Sequence, residues 1–337
     1  MDMDWQSLGF SYRETSQHIR YLWKSGKWDS GELKSESTIN IHIAATALHY
    51  GQSAFEGLKA FYCRDGKVRV FRADENAKRL NSTAARVLMP DIPEAMFLDA
   101  VHRVVKANLD YVPPYGTGGA LYIRPLLFGS GPRIGVRPAD EYIFLILVLP
   151  VGDYYKGGLT PVSAVVVDGY DRSAPQGVGN VKVAGNYAAD LVPSKVAREL
   201  GFPINLYLDA KEHRFIDEFG TSNFIGITSD RSYVTPNSPS ILPSVTNKTL
   251  MTLAGEEGLR VEQRPIEFDE LASFAEVGAC GTAVVLTPVN RIVRDDTVIE
   301  IGPGTGAGPI LQNLYTKVRG IQVGEVPDNY GWSEVVS

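Results

Sequence analysis

The stretch GVGNVKVAGNYAADL, residues 177–191, places one lysine in an apolar, glycine-rich segment directly before a predicted helix. The neighbours of Lys182 are Val181, Val183 and Ala184, which offer its side chain no solvating partner. Desolvation disfavours the ammonium form and makes the amine nucleophilic, as a lysine that forms a Schiff base requires. Taken alone, the segment fits an ordinary surface lysine on a loop better.

A second segment, FIDEFGTSNFIGIT at residues 215–228, adds an acid. Glu218 stands directly before a predicted turn that leads into a strand. A carboxylate beside an aromatic nitrogen keeps that nitrogen protonated, which is what the ring of pyridoxal 5'-phosphate needs in order to act as an electron sink. The alternative for Glu218 alone is a solvated glutamate in a turn.

Other segments suit the binding of a phosphate. The turn before a helix predicted near 246–254 would direct the amides of Val245 and Thr246 at an anion, because a helix N-terminus attracts negative charge. Thr282 would supply a hydroxyl, and Arg72, at the end of a predicted strand, would supply a fixed cation. Each feature is weak by itself, since helix starts and strand ends are often only solvated.

The composition excludes several classes of function. The 337 residues carry a net charge of −6 without a block of Lys or Arg, which argues against nucleic acid as the main partner. The five histidines include no pair with metal-ligand spacing, so no metal site is expected. The longest apolar run, Tyr142–Val151, is about half of what spans a bilayer, so no membrane partner is expected. Two cysteines and the absence of a secretory signal predict a cytoplasmic location.

Length and pattern predict an α+β fold of two domains, with mixed sheets and flanking helices. Helices and strands do not alternate strictly, which disfavours a barrel of eight parallel βα units. The expected boundaries are a small N-terminal domain at 1–152, an interdomain linker or loop at 153–180, and a large C-terminal domain at 181–337 that carries the lysine.

Periodicity predicts the individual elements. Strands are expected at 39–43, 120–129 and 141–150, a hairpin around Arg64–Gly66, and helices at 73–89, 93–109, 187–200 and 268–276. The first of these helices should bury Ala77, Leu80, Ala84 and Leu88. The third should bury Leu191, Val192, Val196 and Leu200.

In combination, these segments resemble the branched-chain amino-acid aminotransferases, a class IV family of pyridoxal-phosphate enzymes. The resemblance follows the chain in order through ALHYGQSAFEGLKAF (47–61), VRVFRADENAKRL (68–80), LYIRPLLFG (121–129), VKVAGNYAADL (181–191), DEFGTSNF (217–224), SPSILPSVTNKTL (238–250) and GACGTAVVLTPV (278–289). It implies the fold-type-IV architecture, shared with D-amino-acid aminotransferases. It also implies ping-pong transamination of leucine, isoleucine and valine with 2-oxoglutarate.

The resemblance further implies the roles of individual residues. Lys182 would carry the cofactor and act as the catalytic base, Tyr187 would hydrogen-bond the ring's phenolic oxygen, and Glu218 would pair with the ring nitrogen. The phosphate would be held by Arg72, Val245, Thr246 and Thr282. The substrate side would be formed by Tyr50, Phe55, Tyr122 and Arg124, with the amides at Thr282 and Ala283 on the α-carboxylate. Ile134 and Val136 lie in a loop that in the family reaches into the partner subunit's pocket, so a homodimer is implied.

Two alternatives remain open at the level of sequence. A D-amino-acid aminotransferase or an aminodeoxychorismate lyase would keep the fold and change the reaction, although those relatives lack the YIRP strand at 122–125. A non-catalytic ligand-binding protein would keep the scaffold, but such a chain would be expected to have lost Lys182 or Glu218.

Overall fold

Residue contacts divide the chain into two units, which the computed structural model describes over residues 3–152 and 159–336. The described part of the N-terminal unit comprises residues 3–152, 181–185 and 320–336, and that of the C-terminal unit comprises residues 159–180 and 186–319.

These boundaries differ from the expected ones in two places. The lysine segment 181–185 and the last residues of the chain belong to the N-terminal unit, because Val183 forms a β-bridge with Ala54 and the final strand pairs within the N-terminal sheet. The predicted linker, over its described residues 159–180, is part of the C-terminal unit and contains a strand of that unit's sheet. Residues 153–158 of the predicted linker lie outside the described residues.

The sheet of the N-terminal unit is antiparallel throughout its described pairings. Its strands are β1 (His18–Lys24), β2 (Lys27–Trp28), β3 (Glu32–Lys34), β4 (Ser53–Phe55), β5 (Leu58–Tyr62), β6 (Val68–Phe71), β7 (Ala120–Gly129), β8 (Tyr142–Val151) and β18 (Ser333–Val335). The order is β18-β6-β5-β7-β8-β1-β2, with β3 beside β1 and β4 beside β7. The predicted hairpin is confirmed as β5 and β6, and the two predicted core strands are confirmed as β7 and β8.

Two helices cover the core of this sheet. The helices of the N-terminal unit are α1 (Thr46–Tyr50), α2 (Ala73–Arg86) and α3 (Glu94–Lys106), with 3-10 turns at Trp5–Ser7 and Leu109–Tyr111. The apolar faces of α2 and α3 are buried in one core with strands β1, β5, β6, β7 and β8. The predicted inward residues are confirmed except for Leu88, which is 68% exposed because α2 ends at Arg86 and Leu88 has a positive φ.

The C-terminal unit contains a mixed sheet. Its strands are β9 (Val162–Val166), β10 (Ile204–Leu208), β11 (Ile216–Phe219), β12 (Ser222–Thr228), β13 (Ser232–Pro236), β14 (Arg260–Arg264), β15 (Phe274–Gly281), β16 (Val285–Arg294) and β17 (Thr297–Glu300). The order is β11-β10-β9-β16-β15-β12-β13-β14, with β17 beside β16. Because β11 also pairs with β12, six of these strands close into a ring around an apolar core.

The remaining helices are α4 (Ala184–Ala189), α5 (Leu191–Glu199), α6 (Val245–Glu256) and α7 (Pro309–Gln322). In α5 the buried residues are Pro193 and Ala197. The predicted inward face is wrong there, since Leu191, Val192 and Leu200 are all more than half exposed.

Two predicted elements are replaced by other structure. Residues 39–43 form no strand, although Ile39 and Ile41 pack against the face of the N-terminal sheet that carries Phe128. The predicted helix at 268–276 is a short 3-10 helix, Phe268–Ser273, followed by the start of β15. Across the described ranges, no helix combines the length and the apolarity that a bilayer crossing demands.

Candidate active site

Lys182 is held by its backbone within the N-terminal unit. Its amide donates a hydrogen bond to Thr83 Oγ1 at 3.0 Å, and its carbonyl accepts one from the amide of Phe55 at 3.2 Å. Thr83 Oγ1 in turn donates to the carbonyl of Arg79 at 3.0 Å, so the lysine segment is tied to α2 and β4 at once. The side chain is half-buried, and its Nζ lies 4.6 Å from the centre of the Phe55 ring.

Phe55 also brings the predicted substrate-binding arginine into this group. The guanidinium of Arg124 lies 4.8 Å from the centre of the Phe55 ring and 5.2 Å from that of Tyr122. One of its nitrogens donates to the Tyr122 hydroxyl at 3.1 Å, whereas Arg124 Nε is buried and makes no hydrogen bond to the described residues. Gly57 lies so close that a Cβ there would overlap the Tyr122 hydroxyl. Lys182, Phe55, Tyr122 and Arg124 therefore form one cluster.

A buried ion pair supports the strand end that carries Phe55. Glu56 is fully buried, and its carboxylate accepts hydrogen bonds from Arg79 Nε at 2.7 Å and Nη2 at 2.8 Å. Arg79 lies one turn before Thr83 on α2, so the same helix face anchors Glu56 and Lys182.

Arg72 lies at the start of α2 with a left-handed backbone, φ 55°. Its amide donates to the carbonyl of Trp332 at 2.6 Å, and its guanidinium lies 5.0 Å from the centre of the Trp332 ring. Burial lowers the pKa of Arg72 from its ordinary value. A non-glycine residue with positive φ is uncommon, and such conformations concentrate at functional sites.

The predicted loop residues form a second group on this unit. The Tyr50 hydroxyl donates to the carbonyl of Ile134, and Tyr50 and Val136 both line a cleft of about 310 Å³ together with Leu88. Ile134 and Val136 are 63% and 84% exposed, which is high for apolar side chains.

Glu218 lies in a cage of donors within the C-terminal unit. Its side chain is 4% exposed, and it accepts hydrogen bonds from Arg172 Nη2 at 2.9 Å, from Asn223 Nδ2 at 3.0 Å and from the amide of Leu242 at 2.9 Å. Asn223 lies directly opposite Glu218 in the β11–β12 pairing. A carboxylate that receives several donors, one of them charged, is stabilised in its ionised form.

The start of α6, where the sequence predicts an anion site, is capped by a serine. The hydroxyl of Ser244 caps the helix by accepting a hydrogen bond from the amide of Asn247 at 3.1 Å. This cap uses neither the amide of Val245 nor that of Thr246, which are the first two residues of the helix. Both residues are buried, at 7% and 9% exposure.

Thr282 and Ala283 lie in the turn that joins β15 to β16. The turn is closed by the Gly281–Val285 pair, and the amide of Leu286 donates to the carbonyl of Val284 at 2.8 Å. Val285 has a φ of 66°, which is a true outlier for a β-branched residue and stores about 1–3 kcal/mol of strain. These backbone contacts of the two strand ends thus close the turn.

Tyr187 lies on α4, five residues after Lys182 in the sequence, and is half-buried. The next helix, α5, has Asp190 at its N-cap position, and the carboxylate of this buried acid accepts hydrogen bonds from Tyr207, Asn205 and Ser194.

Sequence reasoning missed several supporting residues, namely Thr83, Glu56, Arg79, Arg172 and Asp190. Arg172 had one usable signal, because it is a cation in the glycine-rich segment that leads to Lys182. Among the described residues, no three His, Cys, Asp or Glu side chains cluster as metal ligands would.

Comparison with known proteins identifies the family of the chain. The family model described as amino-transferase class IV matches residues 53–292, a range that includes Phe55, Lys182, Glu218 and Thr282. The chain belongs to the class IV aminotransferases. Arg72, Tyr187 and Thr246 also lie within the range that this family model covers.

Relatives within the aminotransferase family match the chain over almost its entire length. The branched-chain-amino-acid aminotransferase of Haemophilus influenzae is 47% identical, with 98% of each chain covered. That of Helicobacter pylori is 45% identical, covering 98% of this chain and 97% of its own.

A solved structure of the Escherichia coli branched-chain amino acid aminotransferase superposes with a TM-score of 0.79 at 27% identity, covering 94% of this chain and 99% of that one. The branched-chain amino acid aminotransferase from Thermobaculum terrenum, solved in its PLP form, shares the fold at a TM-score of 0.78 and 24% identity, covering 96% and 100%.

Proposed function

We propose that this aminotransferase moves the amino group of leucine, isoleucine or valine to 2-oxoglutarate, with pyridoxal 5'-phosphate as its cofactor and Lys182 as the catalytic residue. The observation that supports it most is the placement of Lys182, whose amide and carbonyl are both hydrogen-bonded and whose amine lies over Phe55. A fixed, half-buried amine is suited to covalent catalysis. The names of the Haemophilus influenzae and Helicobacter pylori relatives support the choice of branched-chain substrates.

The residues present fit this cofactor on structural grounds. Glu218 is buried yet supplied with charged and neutral donors, as the partner of a protonated ring nitrogen must be. The buried start of α6, the hydroxyl of Thr282 and the guanidinium of Arg72 provide donors for a phosphate. When bound, the cofactor supplies an electron sink for the bond between the substrate α-carbon and its hydrogen.

The protein's own groups then have defined tasks. The Lys182 amine removes the proton from the substrate α-carbon and delivers it again in the following step. Glu218 would hold the cofactor at its ring nitrogen, where the carboxylate would favour a bound proton, and Tyr187 would donate a hydrogen bond to the phenolic oxygen. The amides at Thr282 and Ala283 hold the substrate α-carboxylate in a turn that does not need to reorganise.

The substrate side must accept an aliphatic side chain in one half-reaction and a carboxylate in the other. Phe55 and Tyr122 provide apolar surface, and Arg124 is a cation between them whose buried Nε makes no hydrogen bond to the described residues. Arg124 would bind the second carboxylate of 2-oxoglutarate. Discrimination among the three amino acids should be shallow, since one methylene contributes about 1–3 kcal/mol in an apolar pocket.

We further propose that the enzyme is a cytoplasmic homodimer. The exposed side chains of Ile134 and Val136 would enter the partner subunit's pocket, which would account for apolar groups at 63% and 84% exposure. Cys63 and Cys280 are both buried and form no disulfide, which supports a reducing compartment.

A substrate panel tests the reaction. Purified protein is supplied with 2-oxoglutarate and with L-leucine, L-isoleucine, L-valine or D-alanine, and the glutamate formed is measured. The three branched L-amino acids should all react, within about tenfold of each other. Preferred transfer from D-alanine, or pyruvate release from aminodeoxychorismate without glutamate formation from leucine, would refute the substrate assignment.

Borohydride reduction followed by peptide mass spectrometry tests the lysine. The label should appear on Lys182 and be absent in Lys182→Ala, whereas Lys195→Ala, at an exposed lysine, should label normally. A label on another lysine would overturn the assignment. Arg72→Ala should weaken cofactor affinity, and Glu218→Gln should slow proton removal by about 10²–10³-fold, as loss of a preorganised charge typically does.

A further inference from the structure

Arg172 is a buried cation to which the sequence pattern assigns no role. Its side chain is 8% exposed, and it lies between β9 and α4 in the glycine-rich part of the C-terminal unit. It donates to Glu218 Oε1 at 2.9 Å, to the carbonyl of Ser240 at 2.6 Å and to the carbonyl of Gly179 at 3.0 Å. A guanidinium suits this task because it directs several donors outward in one plane.

The three partners belong to three different segments of the proposed cofactor site. Glu218 is the proposed partner of the ring nitrogen, Ser240 lies in the loop that leads to α6, and Gly179 stands three residues before Lys182 in the sequence. The Arg172 side chain thus links the segment before Lys182 and the segment before α6 to Glu218.

The close approach of these segments depends on a glycine. A Cβ at position 179 would overlap the carbonyl oxygen of Ser240 and would lie 2.9 Å from Arg172 Nη1. Residue 179 therefore has to be glycine for Arg172 to reach both carbonyls. This requirement gives the glycine-rich composition of the segment a structural reason beyond flexibility.

Arg172 is also the charged neighbour that Glu218 needs. A buried carboxylate is costly unless it is paired and hydrogen-bonded. Asn223 and the amide of Leu242, which also donate to Glu218, are neutral. Two other titratable groups lie near this ion pair: Cys280 faces Glu218, and Asp217 faces Arg172. Burial raises the pKa of Asp217 and that of Cys280, so the Cys280 thiol stays neutral near pH 7.

We propose that Arg172 is a positioning residue that keeps Glu218 ionised and oriented. Through its hydrogen bonds, Arg172 also holds the segments before Lys182 and before α6 close to Glu218. This inference rests on the proposed function. An ionised, fixed Glu218 leaves the proton on the ring nitrogen, whereas a Glu218 without Arg172 would compete for that proton. Arg172 would therefore act on the reaction through Glu218, without touching the substrate.

The test compares Arg172→Met with Arg172→Lys and with Arg260→Met, a control at an exposed ion pair on the same unit. The pH titration of the bound cofactor's visible absorbance should shift in Arg172→Met and remain unchanged in Arg260→Met. The kcat with leucine should fall about 10- to 100-fold, because a hydrogen bond to a charged group contributes about that factor, with KM for leucine nearly unchanged. Arg172→Lys should recover part of the loss, since lysine can pair with Glu218 but cannot reach all three partners.

Further measurements exclude a merely structural role. The affinity of the apoprotein for pyridoxal 5'-phosphate should fall in Arg172→Met. In a Glu218→Gln background, Arg172→Met should have little further effect on kcat, because the two residues act as one unit. Gly179→Ala keeps the charge of Arg172 but displaces its contacts with the carbonyls of residues 179 and 240. This variant should lower cofactor affinity even if Arg172→Met fails to fold.

The outcomes separate this inference from the proposed function. Wild-type protein that neither binds the cofactor nor transaminates would refute the proposed function. If the wild-type protein is active, an Arg172→Met variant with unchanged absorbance titration and unchanged kcat would refute only the positioning role of Arg172. A loss of kcat that adds fully to that of Glu218→Gln would also refute it.

Discussion

Thr83→Val tests how the lysine segment is fixed to the N-terminal unit. The Thr83 side chain is fully buried, and its Oγ1 accepts the hydrogen bond of the Lys182 amide at 3.0 Å. Valine has nearly the same shape as threonine, so the substitution leaves no cavity and removes only the hydroxyl. The amide of Lys182 then loses the acceptor that Thr83 provides.

The expected magnitude follows from that geometry. A buried donor left without its partner costs about 1–3 kcal/mol, which is about a 5- to 150-fold change in the folded-to-unfolded ratio. Two other contacts of the segment survive, namely the hydrogen bond from the Phe55 amide to the Lys182 carbonyl and the bridge between Ala54 and Val183. The segment should therefore stay attached while its amide becomes easier to expose.

Two measurements on the apoprotein check this prediction. Urea unfolding gives the loss of stability, and amide hydrogen exchange at Lys182 reports the local opening directly. Thr252→Val is the control, because Thr252 is an exposed helix residue whose hydroxyl donates to the carbonyl of Lys248 four residues earlier. Its effect should stay within about 0.5 kcal/mol. Unchanged stability together with unchanged exchange at Lys182 in Thr83→Val would refute the reasoning.

Three further changes have defined outcomes. Arg79→Met should destabilise the protein by about 3–5 kcal/mol in urea unfolding, because it leaves the carboxylate of Glu56 buried without its cation. Adding Glu56→Gln should recover much of the loss. A double variant whose stability loss equals the sum of the two single losses would contradict the pairing. Gly57→Ala should displace the Tyr122 hydroxyl and raise KM for both substrates in steady-state assays. Cofactor affinity, measured by fluorescence, should stay at its wild-type value. KM values equal to those of the wild type would argue against Tyr122 as part of the substrate site. Burial lowers the pKa of His18 from 6.5, so the unfolded chain takes up the proton first and stability should fall as the pH drops below 6.5. His18→Asn should flatten this dependence of stability on pH in unfolding experiments at several pH values. An unaltered pH dependence would exclude His18 as its source.

Local pattern was sufficient for much of the fold. The helix α3 and the strands β7 and β8 were predictable because their apolar spacing is strong and they bury the faces that the spacing marks. The alternating pattern at 39–43 misled, since Ile39 and Ile41 pack on the sheet as strand residues would, but their backbone does not join a ladder. Side-chain periodicity reports burial and does not report hydrogen bonding.

The site divides along the same line. Lys182 and Glu218 carry a local signature, because the apolar and glycine-rich residues around them are adjacent in sequence. The residues that position them carry no such local signature, since Thr83 lies 99 residues from Lys182 and Arg172 lies 46 residues from Glu218 along the chain. The left-handed backbone of Val285 was equally unpredictable, because valine has no local preference for that conformation.

The position of β18 bears on how the protein is made. Ser333, Glu334 and Val335 pair with β6, so the N-terminal sheet takes an edge strand from residues that lie more than 260 positions further along the chain (333 − 71 = 262). Domains generally fold in the order in which they are synthesised. Here the edge of the first sheet at β6 lacks its neighbour until residues 333–335 have been synthesised, and in the meantime that edge is open to misdirected pairing.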